Sequence, residues 1–98
     1  MHIVTKKHLL EAAETYKDAA EEIKAWPAIV KGAQWHNFPK VRAIFKDADP
    51  VGKFVIFDIR HNYYRLIAKV DYRAKLLMVK EFLTHKEYVR GGWKKWAP

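Results

Sequence analysis

Three apolar, strand-like runs stand close together in the C-terminal half of this chain: Phe54 to Ile59, Tyr63 to Tyr72 and Leu76 to Leu83. Only Arg60-His61-Asn62 and Arg73-Ala74-Lys75 separate them. Joins this short connect antiparallel neighbours, because parallel neighbours need a long crossover. The spacing therefore predicts an antiparallel three-stranded meander. In the middle run Tyr64, Leu66, Ala68, Val70 and Tyr72 alternate with Tyr63, Arg65, Ile67, Lys69 and Asp71. One face is expected to be core, and the other to carry Arg65 and Lys69.

The residues before the meander read as helices. Met1 to Val4 suits a short edge strand, Thr5 an N-cap, and Leu9, Ala12, Ala13 and Tyr16 one helical face. Asp18-Ala19-Ala20-Glu21 has capping spacing and is expected to open a second helix, with Ile23, Trp26, Val30 and Ala33 as its buried stripe. Pro27 should kink or restart that helix, and Gly32 should stop it. Gln34 to Gly52 reads as a connector with one helical turn near Pro39 to Phe45, then a loop through Asp47, Asp49, Pro50 and Gly52. Thr84 and Glu87 repeat the capping spacing directly after the third strand, so a short C-terminal helix should start there. Gly91-Gly92 then break the chain, and Trp93-Lys94-Lys95-Trp96 is expected to pack back or meet a partner. The expected architecture is α+β: two N-terminal helices on one face of a small antiparallel sheet, with a short C-terminal helix. At 98 residues it forms one domain over 1–98.

The charge is lopsided. The formal net charge is +8 and the pI about 9.8. From Lys53 onward there are eleven Lys or Arg against four Asp or Glu, and before it eight against seven. The excess thus lies with the strands, and it favours a polyanionic partner. No apolar run is long enough for a membrane span. The chain has no cysteine, which removes disulfide frameworks, cysteine zinc sites and thiol nucleophiles, and fits a reducing cytosol.

The candidate chemistry gathers at one end of the meander. A helix start presents unpaired backbone N–H groups and partial positive charge, a natural phosphate site. His85, Lys86 and Tyr88 would stand there as a proton-transfer group, a cation and a phenol. Arg65, Lys69 and Lys80 lie within strands and Arg60, His61 and Arg73 in the turns, with Tyr63 beside them. Such a face can be ordinary solvation. The mixture of cations, imidazoles and phenols also suits RNA, which needs cations for phosphate and flat groups for bases. His61 and His85 are placed to act as base and acid. His2, His8 and His36 fall elsewhere. No Asp, Glu or Cys stands at metal-ligand spacing, so no metal or other cofactor is expected, and neither a nucleophilic triad nor a phosphate-binding glycine loop is present.

Four segments together carry a family likeness. They are Met1-His2-Ile3-Val4-Thr5-Lys6-Lys7 with the following Leu10-Glu11-Ala12-Ala13-Glu14, then Val41-Arg42-Ala43-Ile44-Phe45, Asn62-Tyr63-Tyr64-Arg65-Leu66-Ile67-Ala68, and Phe82-Leu83-Thr84-His85-Lys86-Glu87-Tyr88. In these segments, and over nearly the whole chain up to Arg90, the sequence resembles HigB, the toxin of type II toxin–antitoxin systems. The resemblance implies a RelE-like fold and a metal-independent endoribonuclease that cuts mRNA on the translating ribosome in the cytoplasm. It also implies a HigA-type helix-turn-helix antitoxin as partner. Asn62 and Arg65 match the family's Asn-x-x-Arg, Lys80 its basic position in the last strand, and His85, Lys86 and Tyr88 its terminal motif. Arg60-His61 replaces a smaller, glycine-containing turn, and the Trp-Lys-Lys-Trp tail is particular to this chain.

The chemistry this predicts is attack by a ribose 2′-hydroxyl on its own phosphodiester. Arg65 and Lys80 would hold the phosphate, His85 would move a proton, and Tyr88 or His61 would serve as the opposite partner. Arg60, His61, Asn62, Lys69, Arg73 and Lys86 are the expected RNA-binding residues. The alternative is a non-catalytic basic module that binds RNA or protein on the same fold, since fold alone does not settle activity. A DNA-binding regulator fits less well, because the helical half has little net charge and no clear helix-turn-helix pair.

Overall fold

A computed structural model describes residues 1–95; Trp96, at the end of the expected tail motif, lies outside the described residues. The chain forms β1 (His2–Thr5), α1 (Lys7–Thr15), a 3-10 turn (Lys17–Ala19), α2 (Ala20–Lys31) and α3 (Phe38–Ile44). It continues through β2 (Asp49–Val51), β3 (Phe54–Ile59), β4 (Tyr64–Asp71), β5 (Leu76–Thr84), α4 (His85–Arg90) and a 3-10 turn (Gly92–Lys95). The class is α+β, and the meander of β3, β4 and β5 is antiparallel throughout.

The sheet is larger than expected, with order β1-β5-β4-β3-β2. The N-terminal strand takes the edge beside β5 and runs parallel to it, pairing His2 with Leu76 and Ile3 with Leu77. A short strand also replaces the predicted loop at Asp49 to Val51, where Pro50 sits opposite Val55. Proline is tolerated there because an edge strand can turn its missing donor away from the ladder. Register slips once between β4 and β5: Ile67 faces Glu81 and Ala68 faces Val79, which leaves Lys80 as a bulge residue.

Two expected caps are not formed. Thr5 belongs to β1, paired with Met78, and Lys6 takes the N-cap position without a side-chain bond. Asp18 does not cap α2, whose N-cap is Ala19. Its carboxylate instead accepts from the Tyr64 hydroxyl at 2.8 and 3.0 Å and from the Arg60 guanidinium. A long-range pair of donors outcompetes the local backbone here. Helix α2 runs through Pro27 without a restart and closes at Gly32.

The main core joins Leu9, Ala12 and Ala13 of α1 and Ile23, Trp26 and Val30 of α2 to the inner sheet face at Phe57, Leu66 and Leu77. Phe57 is its centre, edge-on to Trp26 at 5.2 Å and to Phe45 at 5.1 Å. The outer face is not the bare charged surface that alternation predicts. Phe54, Ile56 and Ile67 form a second buried cluster there, covered by Trp93 from the C-terminal 3-10 turn, with Leu83 and Tyr88 packed against it. No described helix is long and apolar enough to cross a membrane.

Candidate nucleic-acid site

The site starts from Arg65. Strand alternation puts it on the outer face, where the β3–β4 register sets it directly opposite Asp58. Its Nε lies 3.3 Å from the Asp58 carboxylate. Its Nη1 donates to the Asn62 carbonyl at 2.8 Å and to the Tyr64 carbonyl at 3.3 Å. The Asn-x-x-Arg spacing therefore has a local cause, since the turn carbonyl at Asn62 braces the guanidinium three residues on. Only 12% of the Arg65 side chain and 24% of that of Asp58 is exposed. A pair this dry interacts more strongly than a surface ion pair. Among the described residues, Nη2 is the one Arg65 nitrogen with no partner.

The turn before Arg65 is strained. Arg60 and His61 both have positive φ, 49° and 59°. This conformation costs a non-glycine residue roughly 1–2 kcal/mol, although histidine is among the types enriched there. Two carboxylates from the helical layer hold it: both Glu22 oxygens accept the Arg60 N–H at 3.0 Å, and Asp18 takes its guanidinium.

Helix α4 supplies the remaining groups. Thr84 and Glu87 form the expected capping box, with Thr84 N–H donating to the Glu87 carboxylate at 2.9 Å and Glu87 N–H to the Thr84 hydroxyl at 3.2 Å. The His85 N–H donates to the Tyr63 carbonyl at 2.8 Å. The helix start is therefore not the open phosphate cradle that the capping spacing suggests, because most of its donors are used inside the protein. What the cap does is fix where His85 and Tyr88 stand. The Arg65 guanidinium lies 5.2 Å from the Tyr88 ring centre, and that ring also stacks on Trp93 at 5.3 Å with planes 13° apart. The Trp93 indole N–H donates to the Tyr88 carbonyl at 3.1 Å. Tyr88 thus contacts both Arg65 and Trp93.

Electrostatics at this end oppose one another. Burial raises the Asp58 carboxyl above its ordinary range; Arg65 pulls it back, Asp47 and Asp49 push it further up, and His85 lowers it. Burial also raises the Tyr88 phenol, and the charges of Asp49 and Asp58 add to that shift, so its proton is retained at neutral pH. No group of three or more His, Asp or Glu among the described residues is disposed to hold a metal ion.

The structure brings Arg65 and Tyr88 together, with His85 exposed at the first position of α4 and His61, Asn62 and Lys86 also exposed at this end of the sheet. Lys80 is exposed at the bulge, two residues along β4 from Arg65, a register offset of roughly 7 Å. Arg60 is turned toward Asp18, and its guanidinium also lies 5.2 Å from the Tyr63 ring. Lys69 and Arg73 lie at the far end of β4, where Lys69 pairs with Phe54 and Met78. Asp58 and Trp93 are the participants that sequence reasoning missed. Strict alternation within Phe54, Ile56 and Asp58 was the available signal for Asp58. Assuming a three-residue join obscured it, because the true pairing of Ile59 with Tyr64 makes the loop one residue longer.

Comparison with known proteins agrees with this architecture. Residues 19–90 match the model of the HigB_toxin family, described as the RelE-like toxic component of a toxin–antitoxin system. The chain is 29% identical over 91 residues to the mRNA interferase toxin HigB of Escherichia coli K12, covering 90% of this chain and 88% of that one. The mRNA interferases HigB of Escherichia coli O157:H7 and Shigella flexneri match equally well. The matched segment runs from Ala19 at the end of the first 3-10 turn to the last residue of α4, and so contains Asp58, Arg65 and Tyr88 but neither Asp18 nor Trp93. The chain belongs to the HigB toxin family, the RelE-like toxic component of a toxin–antitoxin system.

Proposed function

We propose that this single RelE-like domain is the endoribonuclease of its toxin–antitoxin system, cutting mRNA on the translating ribosome in the cytoplasm without a metal. The observation that carries the reading is the braced guanidinium: Arg65 is held by Asp58, Asn62 and the Tyr88 ring, and His85 opens the helix that carries Tyr88. The names of the HigB relatives as mRNA interferases support it.

In this mechanism His85 takes the proton from the ribose 2′-hydroxyl as that oxygen attacks phosphorus. The bond from phosphorus to the 5′-oxygen breaks, and the Tyr88 phenol gives its proton to the departing oxygen. The products are a 2′,3′-cyclic phosphate and a 5′-hydroxyl end. The partnerless Nη2 of Arg65 and the Lys80 ammonium receive the charge that grows on the phosphoryl oxygens, an effect that is large in a preorganised, partly dry site. His61, Asn62 and Lys86 border the same end and contact flanking nucleotides. A HigA-type helix-turn-helix protein is the antitoxin that neutralises the activity.

Mapping mRNA ends by primer extension after brief expression tests the reading. Discrete new ends are expected, and a single 2′-deoxy substitution at a mapped site should abolish the cut. Cleavage that continues at the substituted position would overturn the mechanism. Growth arrest that persists in full in both Arg65→Ala and His85→Ala would overturn the site, leaving the non-catalytic binding module.

A further inference from the structure

The basic residues of the sheet divide into two groups with different surroundings. At the Arg65 end the arginines are committed: Arg60 to Asp18 and Glu22, Arg65 to Asp58. At the opposite end of β4 a hollow of about 640 Å³ opens between the β2–β3 turn, the start of β3 and the end of β4. Lys53, Lys69 and Arg73 line it, and none of the three has an ion-pair partner among the described residues. Asp71 is the one carboxylate in the lining, and its Oδ1 is already occupied by the Ala74 N–H at 2.9 Å. Phe38 and Tyr72 form the wall, both packed against the main core, and Arg42 lies over the Phe38 ring at 5.6 Å.

Three cations around one concavity repel one another unless an anion sits between them. A basic track with aromatic walls is the combination that holds single-stranded nucleic acid through its backbone while tolerating any sequence. Lys69 is four residues from Arg65 along the strand, roughly 13 Å. The buried cluster of Phe54, Ile56, Ile67 and Trp93 fills the outer face between them. The two basic centres are therefore separate, with an apolar floor joining them.

We infer that the Lys53–Lys69–Arg73 hollow is a second anion subsite, which grips backbone phosphate of the same single-stranded RNA some nucleotides away from the bond held at Arg65. It rests on the RNA-directed reading above and adds a division of labour: affinity comes from the uncommitted cations at this end, orientation from the committed one at the other.

The test is the salt dependence of binding to a single-stranded 2′-O-methyl RNA, which removes cleavage from the measurement. Three released phosphate contacts lower the slope of log affinity against log salt by roughly 2. The K53Q/K69Q/R73Q variant should therefore bind less tightly and lose on the order of 20-fold less affinity than the native chain between about 50 and 200 mM salt. A thermal unfolding midpoint close to the native one verifies that the variant is folded. Should it fail to fold, K53Q alone should lower the slope by about 0.7. A native slope in the folded variant overturns the subsite, as does an unchanged slope accompanied by lost capture of the antitoxin, which would assign the hollow to a protein partner. Because the readout is binding, a reduced slope supports the subsite even if the cleavage experiments fail.

Discussion

Two clusters with the same three residue types sit on opposite sides of the β3–β4 hairpin. On the helical side Asp18, Arg60 and Tyr64 meet, and on the outer face Asp58, Arg65 and Tyr88. In the first, the Tyr64 hydroxyl donates to Asp18 and Arg60 joins it, so the carboxyl is held below its ordinary range. In the second, the tyrosine presents its ring to the arginine rather than its hydroxyl to the aspartate, and burial raises the carboxyl. The identical composition gives a latch in one place and, in the other, the group proposed above as the site. What separates them is how much water and how many donors reach the carboxylate. A satisfied cluster ties the strained turn to the 3-10 turn ahead of α2, whereas the under-satisfied one leaves the Arg65 Nη2 and the Tyr88 phenol without a partner among the described residues.

The strongest way to break this comparison is to remove the support beneath the outer cluster. Trp93→Ala should destabilise the chain by about 3–5 kcal/mol, as large aromatic truncations do, and should loosen Tyr88 and Arg65 together; urea unfolding measures the first and cleavage rate the second. Trp93→Phe, which keeps a ring under Tyr88, should recover most of both. Next, Arg65→Ala should reduce the cleavage rate by 10²- to 10³-fold, about 2.7–4 kcal/mol of transition-state stabilisation. Arg60→Ala should act chiefly on the melting temperature. If single-turnover assays found the two arginines equally damaging to rate, the distinction between latch and site would collapse. Thr84→Ala should cost about 1 kcal/mol through loss of the cap, visible as a modest drop in unfolding midpoint.

The smallest expected effect is in pH dependence, where the two aspartates should oppose each other. The lowered Asp18 carboxyl contributes stability that is present above its ordinary value of 3.8 and is lost as pH falls through its lower folded value. The raised Asp58 carboxyl contributes stability that is complete below 3.8 and is lost as pH rises through its higher folded value. Asp18→Asn should therefore flatten the acid side of a plot of unfolding midpoint against pH, and Asp58→Asn the side above 3.8. Slopes of the same sign for both would show that the local environments are not as different as the geometry makes them.

Much of this was legible in the residues. The meander, its turns and the inner face of β4 follow from period-two alternation and short joins, and the Thr84–Glu87 box is a local motif that formed as read. Asp18 shows the limit of such reading. Its capping spacing was as good as that of Thr84, yet two side chains more than forty residues away took the carboxylate. The parallel pairing of β1 with β5, and the short β2 with a proline in its middle, carry no strong local signature either.

By itself the sequence determined what neighbours along the chain can decide: which runs are strands, which face of each is apolar, where the last helix begins, and that cations cluster in the C-terminal half. Tertiary structure alone decided which cation meets which carboxylate, that Trp93 roofs the outer face, and that Arg65 is braced while Lys53, Lys69 and Arg73 are not. The physical reason is range. Alternation and capping are settled by backbone geometry within a few residues, whereas the company a charge keeps depends on strand register and on desolvation summed over the whole fold, and a one-residue shift in register sends a side chain to the other face.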